Sequence, residues 1–522
     1  MTVRRYVLAF AVLGGCGFPK PPPIEGLGDG DFAMELANSR IRIVEGASTT
    51  VGVKLVRSGL MAPVAVTVTG LPTGVTADPL TVDADVGTLT LHAAPDAVQG
   101  DAALTITATA DGLSHNAALS LLTMGLPGTL DQSFGHGGMV VGPSASRGDA
   151  LVIQPDGKIV VAGGIGTSGM KYAILRYSQN GDTDTSFSDG DGMQVLDSKS
   201  ALPAIALQTD GKIVVAETIG GHGTQGVVVR LNSDGSRDTS FGNNSSVTVF
   251  LSVPMQGGID ALGAIAILPD DGILVGGIGS TLRDETTVDE SAVVKLTTQG
   301  VLDTRFGTEG RDAPGTGVAS AFVKQIIVAP DESLLIASIS HSSNIPSMSI
   351  ERLDSNGQHD SRFGFSGSIF AVGGGTNASM VLQPNGQILA LTGSRTSSNL
   401  ARIEGTSGRP DTDFGTSGIR AIDSFAGFAS PSSFVRQQDG KLIAVGAAYP
   451  SETSVPFVAR LTPSAGLDTT FGGGIILLPA EPRSTTFSAV ALDADGRIVA
   501  TGYRGTTVIS DNQQLIVCRF WP

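Results

Sequence analysis

Residues 154–161 read QPDGKIVV and residues 130–135 read LDQSFG, and both blocks recur in alternation along the chain. The second block places Asp three residues before Phe, in copies whose Phe residues lie 53, 54, 65, 57, 51 and 57 positions apart. The Phe residues are Phe134, Phe187, Phe241, Phe306, Phe363, Phe414 and Phe471. Gly follows them in six copies, and Ser188 takes its place in the second. Such a constant period indicates a repeat architecture.

The QPDGKIVV block predicts a β-hairpin in each repeat. Its further copies start at Asp210-Gly211, Asp271-Gly272, Asn385-Gly386, Asp439-Gly440 and Asp495-Gly496, and the fourth copy reads Asp331-Glu332-Ser333. Asp-Gly or Asn-Gly between apolar runs favours a tight turn, because Gly adopts positive φ without strain. With two further apolar runs, each repeat of about 56 residues contains four strands, which is typical of one propeller blade.

The number of copies predicts the architecture. One four-stranded blade cannot bury both of its faces, so the repeats must pack against each other. We therefore predict an all-β chain in which residues 125–522 form a seven-bladed β-propeller. The repeated Phe is expected to be a wedge between blades.

A basic residue ends the third apolar run of every repeat and predicts a set of buried ion pairs. It precedes the next repeat Asp by eight positions in five cases and by nine in one. The predicted pairs are Arg176 with Asp184, Arg230 with Asp238, Lys295 with Asp303, Arg352 with Asp360, Arg402 with Asp411 and Arg460 with Asp468. Two residues are left over: Asp131 has no preceding base and Arg519 has no following Asp. We predict that they pair, and that residues 139–141 complete the last blade and close the ring, which removes exposed sheet edges.

The two blocks as they stand, LDQSFG and QPDGKI, resemble the delta-60 repeat family of bacterial propeller-like repeats. The resemblance covers about residues 128–522 and departs at Ser188 and in the fourth hairpin. It implies a propeller in a surface setting and brings no reaction with it.

Residues 31–124 predict a separate small β-sandwich. Short apolar–polar alternations recur there at roughly ten-residue intervals between turn residues, the pattern of an antiparallel sandwich. Residues 66–77, VTVTGLPTGVTA, resemble bacterial immunoglobulin-like domains that carry a GLP-x-G turn. The resemblance implies a spacer or an adhesive module, of which we favour the spacer.

The N-terminus predicts an address in the cell envelope. Arg4 and Arg5 precede an apolar run at residues 6–13 that is too short to span a bilayer as a helix. The ending LGGC at residues 13–16 resembles the lipobox of bacterial lipoproteins. The resemblance implies that residues 1–15 are a signal peptide and that Cys16 carries the lipid. Residues 16–30 then form a Pro- and Gly-rich tether. We expect a membrane-anchored lipoprotein of the outer membrane or the cell surface.

Composition excludes nucleic acid as a partner. The formal net charge of the 522 residues is −16, whereas phosphate binding requires clustered Lys and Arg. Cys16 and Cys518 are the only cysteines, so neither a disulfide framework nor a zinc site is expected. Cys518 occupies the position before the repeat base that Leu175, Val229, Val294, Ala401 and Ala459 occupy in other copies, so we predict a buried, unreactive thiol.

No catalytic constellation or cofactor site is evident in the sequence. The six histidines lie at no ligand spacing, and no GxSxG elbow is present. One acidic loop, GDTDTSFSDGDG, offers Asp182, Asp184, Asp189 and Asp191 as a calcium alternative to a solvated loop. Its spacing matches no EF-hand, so no metal is predicted.

Three hypotheses of function remain open. The first is a non-catalytic envelope lipoprotein that binds or scaffolds a protein or glycan through a propeller face. The second is an enzyme acting on polysaccharide or peptide at the propeller axis, recognisable by polar residues that break the repeat pattern there. The insertion at residues 281–289 of the long third repeat is the place to look for them. The third is a surface adhesin, favoured by an exposed apolar patch on the sandwich.

Overall fold

The computed structural model describes residues 28–522 except 167–170, 197–203, 221–224, 253–259, 284–285, 313–320, 341–345, 370–376, 394–397, 423–428, 451–452, 480–483 and 506–512. All regular elements of the described residues are β-strands, so the all-β prediction is confirmed. No helix in this part of the chain is long and apolar enough to cross a membrane. The predicted signal peptide, Cys16 and residues 17–27 of the predicted tether lie outside the described residues. The chain divides into two compact units, Met1–Met124 and Gly125–Pro522.

The first unit consists of two sheets around one core. Its strands are β1 (Asp31–Leu36), β2 (Arg40–Val44), β3 (Ser48–Ser58), β4 (Val64–Thr69), β5 (Val75–Ala77), β6 (Leu80–Val82), β7 (Val86–Ala93), β8 (Gly100–Ala110) and β9 (Leu113–Met124). The sheet orders are β1-β3-β7-β5 and β2-β9-β8-β4-β6. Side chains alternate along β8, where Leu104 and Ile106 are buried and Thr105 is exposed, because successive residues of a strand face opposite sides.

One strand pair of the first unit departs from the antiparallel pattern. β2 pairs with β9 in parallel, with Arg40 opposite Ser120 and Val44 opposite Met124. The reason is topological: β1 and β2 are consecutive in the chain but belong to different sheets. β5 and β6 contain three residues each, too few to show a period of two in the sequence.

The second unit begins with β10 (Met139–Ser144), which pairs with the last strand of the chain. The strands of its first four sheets are β11 (Ala150–Ile153), β12 (Ile159–Ile165), β13 (Lys171–Tyr177), β14 (Met193–Leu196); β15 (Ala204–Leu207), β16 (Ile213–Ile219), β17 (Gln225–Leu231), β18 (Ser246–Val249); β19 (Asp260–Ile267), β20 (Ile273–Arg283), β21 (Thr286–Leu296), β22 (Arg311–Asp312); β23 (Ala321–Val328), β24 (Leu334–Ser340), β25 (Ser347–Leu353), β26 (Ser368–Ile369).

The strands of the remaining sheets are β27 (Asn377–Leu382), β28 (Gln387–Gly393), β29 (Ser398–Glu404), β30 (Ile419–Ala421); β31 (Ala429–Arg436), β32 (Leu442–Ala448), β33 (Val455–Leu461), β34 (Ile475–Leu477); β35 (Thr485–Leu492), β36 (Ile498–Arg504), β37 (Gln514–Phe520). Within each sheet the strands lie in chain order, except that β10 is the outer strand beside β37. The described residues of this unit thus form seven four-stranded sheets.

The first strands of these sheets contact each other in a closed series. β11 contacts β15, and each following first strand contacts the next as far as β35, which contacts β11. The two ends of the unit meet in the last sheet, where Met139 lies opposite Cys518 and the Asp131 N–H donates to the Arg519 carbonyl at 2.8 Å. Residues from the start of the unit therefore complete the sheet that the C-terminal strands begin.

The hairpin turns correct one alignment made from the sequence. In the first sheet Gly157 takes positive φ at +83° and its N–H donates to the Gln154 carbonyl. In the third sheet the same place is held by Asp271 at φ +61°, whose N–H donates to the Leu268 carbonyl, and not by Gly272. The match Asp271-Gly272 is therefore wrong by one residue. Glu332 holds this place in the fourth sheet at φ +62°, so two turns use a residue with a side chain where Gly is usual.

Candidate functional site

The repeated basic residues each lie within ion-pair distance of a repeated Asp. The shortest N–O distances are 2.8 Å for Arg176–Asp184, 2.8 Å for Arg230–Asp238, 3.5 Å for Lys295–Asp303, 3.5 Å for Arg352–Asp360, 2.7 Å for Arg402–Asp411, 2.8 Å for Arg460–Asp468 and 2.7 Å for Arg519–Asp131. Five of the arginines also stack on the repeat Phe, as Arg519 does on Phe134 with 4.6 Å to the ring centre. This stacking and pairing occupies the most regular charges of the unit.

In six of the seven pairs, hydrogen bonds and neighbouring cations lower the pKa of the repeat Asp below its usual value; these are Asp184, Asp238, Asp303, Asp360, Asp411 and Asp468. Burial alone would raise the pKa of Asp184, but the Ser186 hydroxyl and N–H groups and the Arg176 guanidinium overcome this and hold the pKa at about 2. The guanidinium of Arg176 also donates to the Ser233 carbonyl of the next repeat. The pairs therefore tie neighbouring repeats together and leave no charge free for a substrate.

The acidic loop of the second repeat does not gather its carboxylates. Asp184 faces Arg176 at 2.8 Å, and the Asp191 carboxylate accepts the Met193 N–H at 2.9 Å. No group of three His, Cys, Asp or Glu residues that could hold a metal ion occurs among the described residues, which include Asp182 and Asp189.

A cavity of about 1110 Å³ lies where the first strands of the sheets converge. Sheets two and three contribute an apolar wall, formed by residues such as Ala204, Ile205 and Ile265. The other sheets contribute charged, hydroxyl and amide groups. These other sheets also contribute apolar residues such as Ile326 and Met380, so the cavity has one apolar wall and a mixed remainder, whose polar residues break the repeat pattern.

Several of the residues that line the cavity lie at β-bulges. The register of β19, β23, β31 and β35 shifts around one residue each, which is left without a cross-strand partner. These residues are Gly263, Lys324, Ser432 and Ser488, and all four line the cavity. Since a bulge re-aims the side chain that it carries, one backbone device presents different chemistry from different sheets.

An ion-paired arginine and two tyrosines lie where the first and last sheets meet. Arg147 Nε lies 3.0 Å from Asp149 Oδ2, and Arg147 Nη2 donates to the Tyr172 hydroxyl at 3.3 Å. Burial raises the pKa of Asp149 in spite of Arg147, and burial also raises the pKa of Tyr503 from the neighbouring last sheet. These groups are largely satisfied by each other.

Two cations of the cavity have no such partner. Neither Lys324 nor Arg436 forms an ion pair or a side-chain hydrogen bond within the described residues, and Arg436 Nε is buried without any partner. Burial lowers the pKa of Lys324, whose Nζ lies 4.6 Å from the centre of the Phe322 ring. Three cationic side chains and one carboxylate line the described cavity wall, although the whole chain carries a formal charge of −16.

A second cluster of ionisable groups lies buried between the third and fourth sheets. Glu351 is fully buried, and neither of its carboxyl oxygens has a hydrogen-bond partner. Burial and then the nearby Asp312 raise the pKa of Glu351 well above its usual range, while burial and Asp354 raise the pKa of Asp312 to about 7. His359 Nε2 lies 3.8 Å from Asp312, and burial lowers the pKa of His359.

Sequence reasoning missed this cluster, although the signal was present. Glu351 immediately precedes Arg352, the position that holds Leu175 in the first copy and Cys518 in the last. On the outer strands, Met139 pairs with Cys518 and Arg311 pairs with Val294, which holds the same repeat position as Cys518. Val140 and Asp312 are the next residues of those strands, so they correspond to each other. An apolar contact between sheets is thus replaced by two carboxyls at a single junction. Cys518 itself is fully buried, and burial raises the pKa of its thiol, which keeps it unreactive.

The remaining sequence candidates lie away from the cavity. The insertion at residues 281–289 lengthens the β20–β21 hairpin, with Thr281 opposite Val288, and none of its described residues lines the cavity. In the first unit Ser48 Oγ lies 2.7 Å from His92 Nδ1, and His92 Nε2 lies 3.0 Å from Asp78. These side chains are exposed, so water competes for both contacts and the hydroxyl is not activated by burial. His222 and His341 lie outside the described residues.

Comparison with known proteins identifies the fold of the second unit. Residues 154–187, 208–241 and 437–471 match a family model described as "Domain of unknown function (DUF5122) beta-propeller". Each matched segment begins at the Gln of a hairpin block and ends at the repeated Phe. The prediction of a β-propeller is therefore confirmed.

Solved structures give only distant likeness. The chain is similar to a quinonprotein alcohol dehydrogenase-like protein from Bacteroides thetaiotaomicron, at 11% identity and a TM-score of 0.34, with 82% of this chain and 92% of that chain covered. It is also similar to an endo-1,4-beta-xylanase from the same organism, at 10% identity and a TM-score of 0.25, with coverages of 61% and 89%. These scores are too low to transfer any property to this chain. No curated protein matches it.

Proposed function

We propose that this chain is a cell-envelope lipoprotein whose second unit is a closed seven-bladed propeller of the delta-60 type that binds a ligand in its central cavity without catalysis. The first unit is then an immunoglobulin-like spacer between the lipid on Cys16 and the propeller. The cavity of about 1110 Å³ carries the proposal, because its polar residues depart from the repeat pattern. The regular charges, in contrast, are committed to pairs between repeats.

The size and chemistry of the cavity support binding of a small or linear ligand. Ligand sites are typically concave spaces of roughly 300–1,000 Å³ with an apolar wall and a few polar groups that set orientation. The bulge residues Lys324, Ser432 and Ser488 supply such polar groups here, and the residue at this place differs between sheets.

Blocking the cavity tests the proposal. Ser488→Trp places an indole on a bulge that lines the cavity, and Val301→Trp places one on a turn at a residue that is 62% exposed. Full-length protein in detergent is applied to a glycan array, and in a second assay the immobilised protein is incubated with an envelope-protein extract. We expect the ligand of the wild type to be retained by Val301→Trp and lost by Ser488→Trp. Equal retention by both variants would place binding elsewhere.

An enzyme at the axis is the second candidate, and the lowered pKa of Lys324 favours it. A half-buried lysine with a lowered pKa is a group that serves as base or nucleophile in other sites. Chromatography of the recovered glycan or peptide distinguishes the two: an enzyme returns shortened products, and a binding protein returns the ligand intact. An adhesin would show binding that survives Ser488→Trp and resides in the first unit.

The lipid anchor has its own test. Cys16→Ala is expected to abolish metabolic labelling by palmitate and to release the protein from the membrane fraction. Cys518→Ala is the matched control, because Cys518 is buried and should leave labelling unchanged. Labelling that persists in Cys16→Ala would rule out the anchor.

A further inference from the structure

We infer that the central cavity takes a saccharide that carries several anionic groups, such as carboxylates or sulfate esters, with Lys324 and Arg436 as its two charge contacts. The inference rests on the proposed binding function and names its ligand class. It starts from the charge of the cavity wall, where three cations face one carboxylate in a chain of formal charge −16.

Only two of those cations are free to act on a ligand. Arg147 is neutralised by Asp149 at 3.0 Å, whereas neither Lys324 nor Arg436 meets a carboxylate among the described residues. Both side chains are half-buried, and Arg436 Nε is buried without a hydrogen-bond partner. A partly desolvated charge without a counter-ion is unfavourable, so an anion that binds between the two cations is favoured. The Arg436 guanidinium offers planar, paired donors suited to a carboxylate or sulfate.

Spacing along the strands separates the two cations. Arg436 ends β31 opposite Leu442, and its counterpart in β23 is Val328, opposite Leu334. Lys324 lies four residues before Val328, on the bulge. At about 3.3 Å per residue, the backbone positions that carry the two side chains are offset by roughly 10–13 Å along the strand direction. A chain of sugar acids presents successive charges over a length of this order.

The uncharged groups between them suit hydroxyl-bearing rings. Ser432 holds the bulge place on β31 that Lys324 holds on β23, and Ser433 follows it. Ser488 holds the same place on the next first strand, β35. Their hydroxyls have no partner among the described residues, whereas the Gln325 and Asn377 amides already bridge neighbouring sheets. The opposite wall is apolar and offers a surface to the CH faces of sugar rings.

Calorimetric titration of the full-length protein in detergent tests the inference. The probes are a tetramer of galacturonic acid, its fully methyl-esterified form, a sulfated tetrasaccharide of the same length, and inorganic phosphate. We expect the charged tetramers to bind at least tenfold more tightly than the ester and to weaken with salt, since exposed charges are screened. The ratio between the uronate and the sulfated probe tells which anion is preferred.

Two variants and a control locate the contacts. Lys324→Gln and Arg436→Gln should each weaken binding of the charged tetramer by five- to tenfold and leave the ester unchanged. Lys171→Gln, at an exposed strand start away from the cavity lining, should change neither. Melting without ligand provides a folding control, and removal of an uncompensated cation should leave it equal or raise it.

Three results would overturn the inference. They are an ester that binds as tightly as the acid, charged binding that is unaffected by both Gln variants, and an absence of binding by every saccharide probe. The first two leave a binding cavity intact with a different ligand class, and the third is judged against the cavity-blocking experiment, which tests binding as such. The third result includes the case in which phosphate alone binds, at millimolar strength.

Discussion

Replacing Arg519 by Met tests whether one buried ion pair holds the ring of sheets closed. Arg519 is 1% exposed and Asp131 is fully buried, and their side chains meet at 2.7 Å across 388 positions of sequence. Arg519 also stacks on Phe134 and donates to the Gln179 carbonyl of the first repeat. The substitution keeps the aliphatic stem and removes every one of these polar contacts.

The expected loss follows from burial. Removal of one partner of a buried pair costs about 3–5 kcal/mol, because the other charge stays behind in a low-dielectric site. Asp131 would retain the hydrogen bonds from the Ser133 N–H and hydroxyl groups, and its nearest cation among the described residues would be Arg497, at 3.8 Å. The reference is Arg362→Met: Arg362 lies 2.8 Å from Asp360 but is 83% exposed, and such pairs contribute at most about 1 kcal/mol.

The single tryptophan makes the assay local. Trp521 is fully buried two residues after Arg519, and its backbone N–H donates to the Thr129 carbonyl at 3.0 Å. Urea unfolding of full-length protein followed by its fluorescence therefore reports on closure of the ring. Arg519→Met should shift the midpoint several times further than Arg362→Met. Equal shifts of the two midpoints would refute the reasoning. So would a double variant, Asp131→Leu with Arg519→Met, whose loss of unfolding free energy equals the sum of the losses in the two single variants.

Further predictions concern the Asp312–Glu351 junction and one hairpin turn. Both carboxyls have raised pKa values in the folded chain, so their contribution to stability is complete below about pH 4 and is lost as the pH rises through the raised pKa values, of which that of Asp312 is about 7. The melting temperature should fall from pH 5 to pH 8, and the slope should flatten in the Asp312→Asn, Glu351→Gln double variant. An unchanged slope would mean that the pair does not titrate. Glu332→Gly removes the strain of a residue at φ +62° and should raise the free energy of unfolding, measured in urea, by about 0.5–1 kcal/mol. Gly157→Ala places a side chain at φ +83° and should lower the free energy of unfolding. A change of the same sign in both variants would contradict the account of the turn.

The repeat blocks made the fold predictable because each carries its own physical signal. Gln154–Gly157 specifies a local turn, and the recurring Phe specifies a side chain that must be buried. Such signals act within a few residues and do not depend on distant partners. The third hairpin shows the limit: in Asp270-Asp271-Gly272 either Asp270 or Asp271 can be the Asp of the motif, and only the hydrogen bond from the Asp271 N–H to the Leu268 carbonyl decides between them.

The candidate site was less predictable, for a different reason. Lys324, Ser432 and Ser488 are ordinary polar residues within apolar strands, and nothing local marks them as facing one cavity. Bulges, which arise from the pairing of two strands, turned them inward. Glu351 was visible as a charge in an apolar column of the repeat alignment, but its burial opposite Asp312 depends on how two sheets pack.

The amino-acid sequence alone therefore determined the strands, the repeat and the β-propeller class, since turn chemistry and alternating hydrophobicity are local properties of the chain. Tertiary structure alone decided which side chains share a space outside the repeat pattern: the cations around the cavity and the carboxyls between two sheets. Burial and charge proximity are properties of the packed sheets, because each depends on residues tens or hundreds of positions apart.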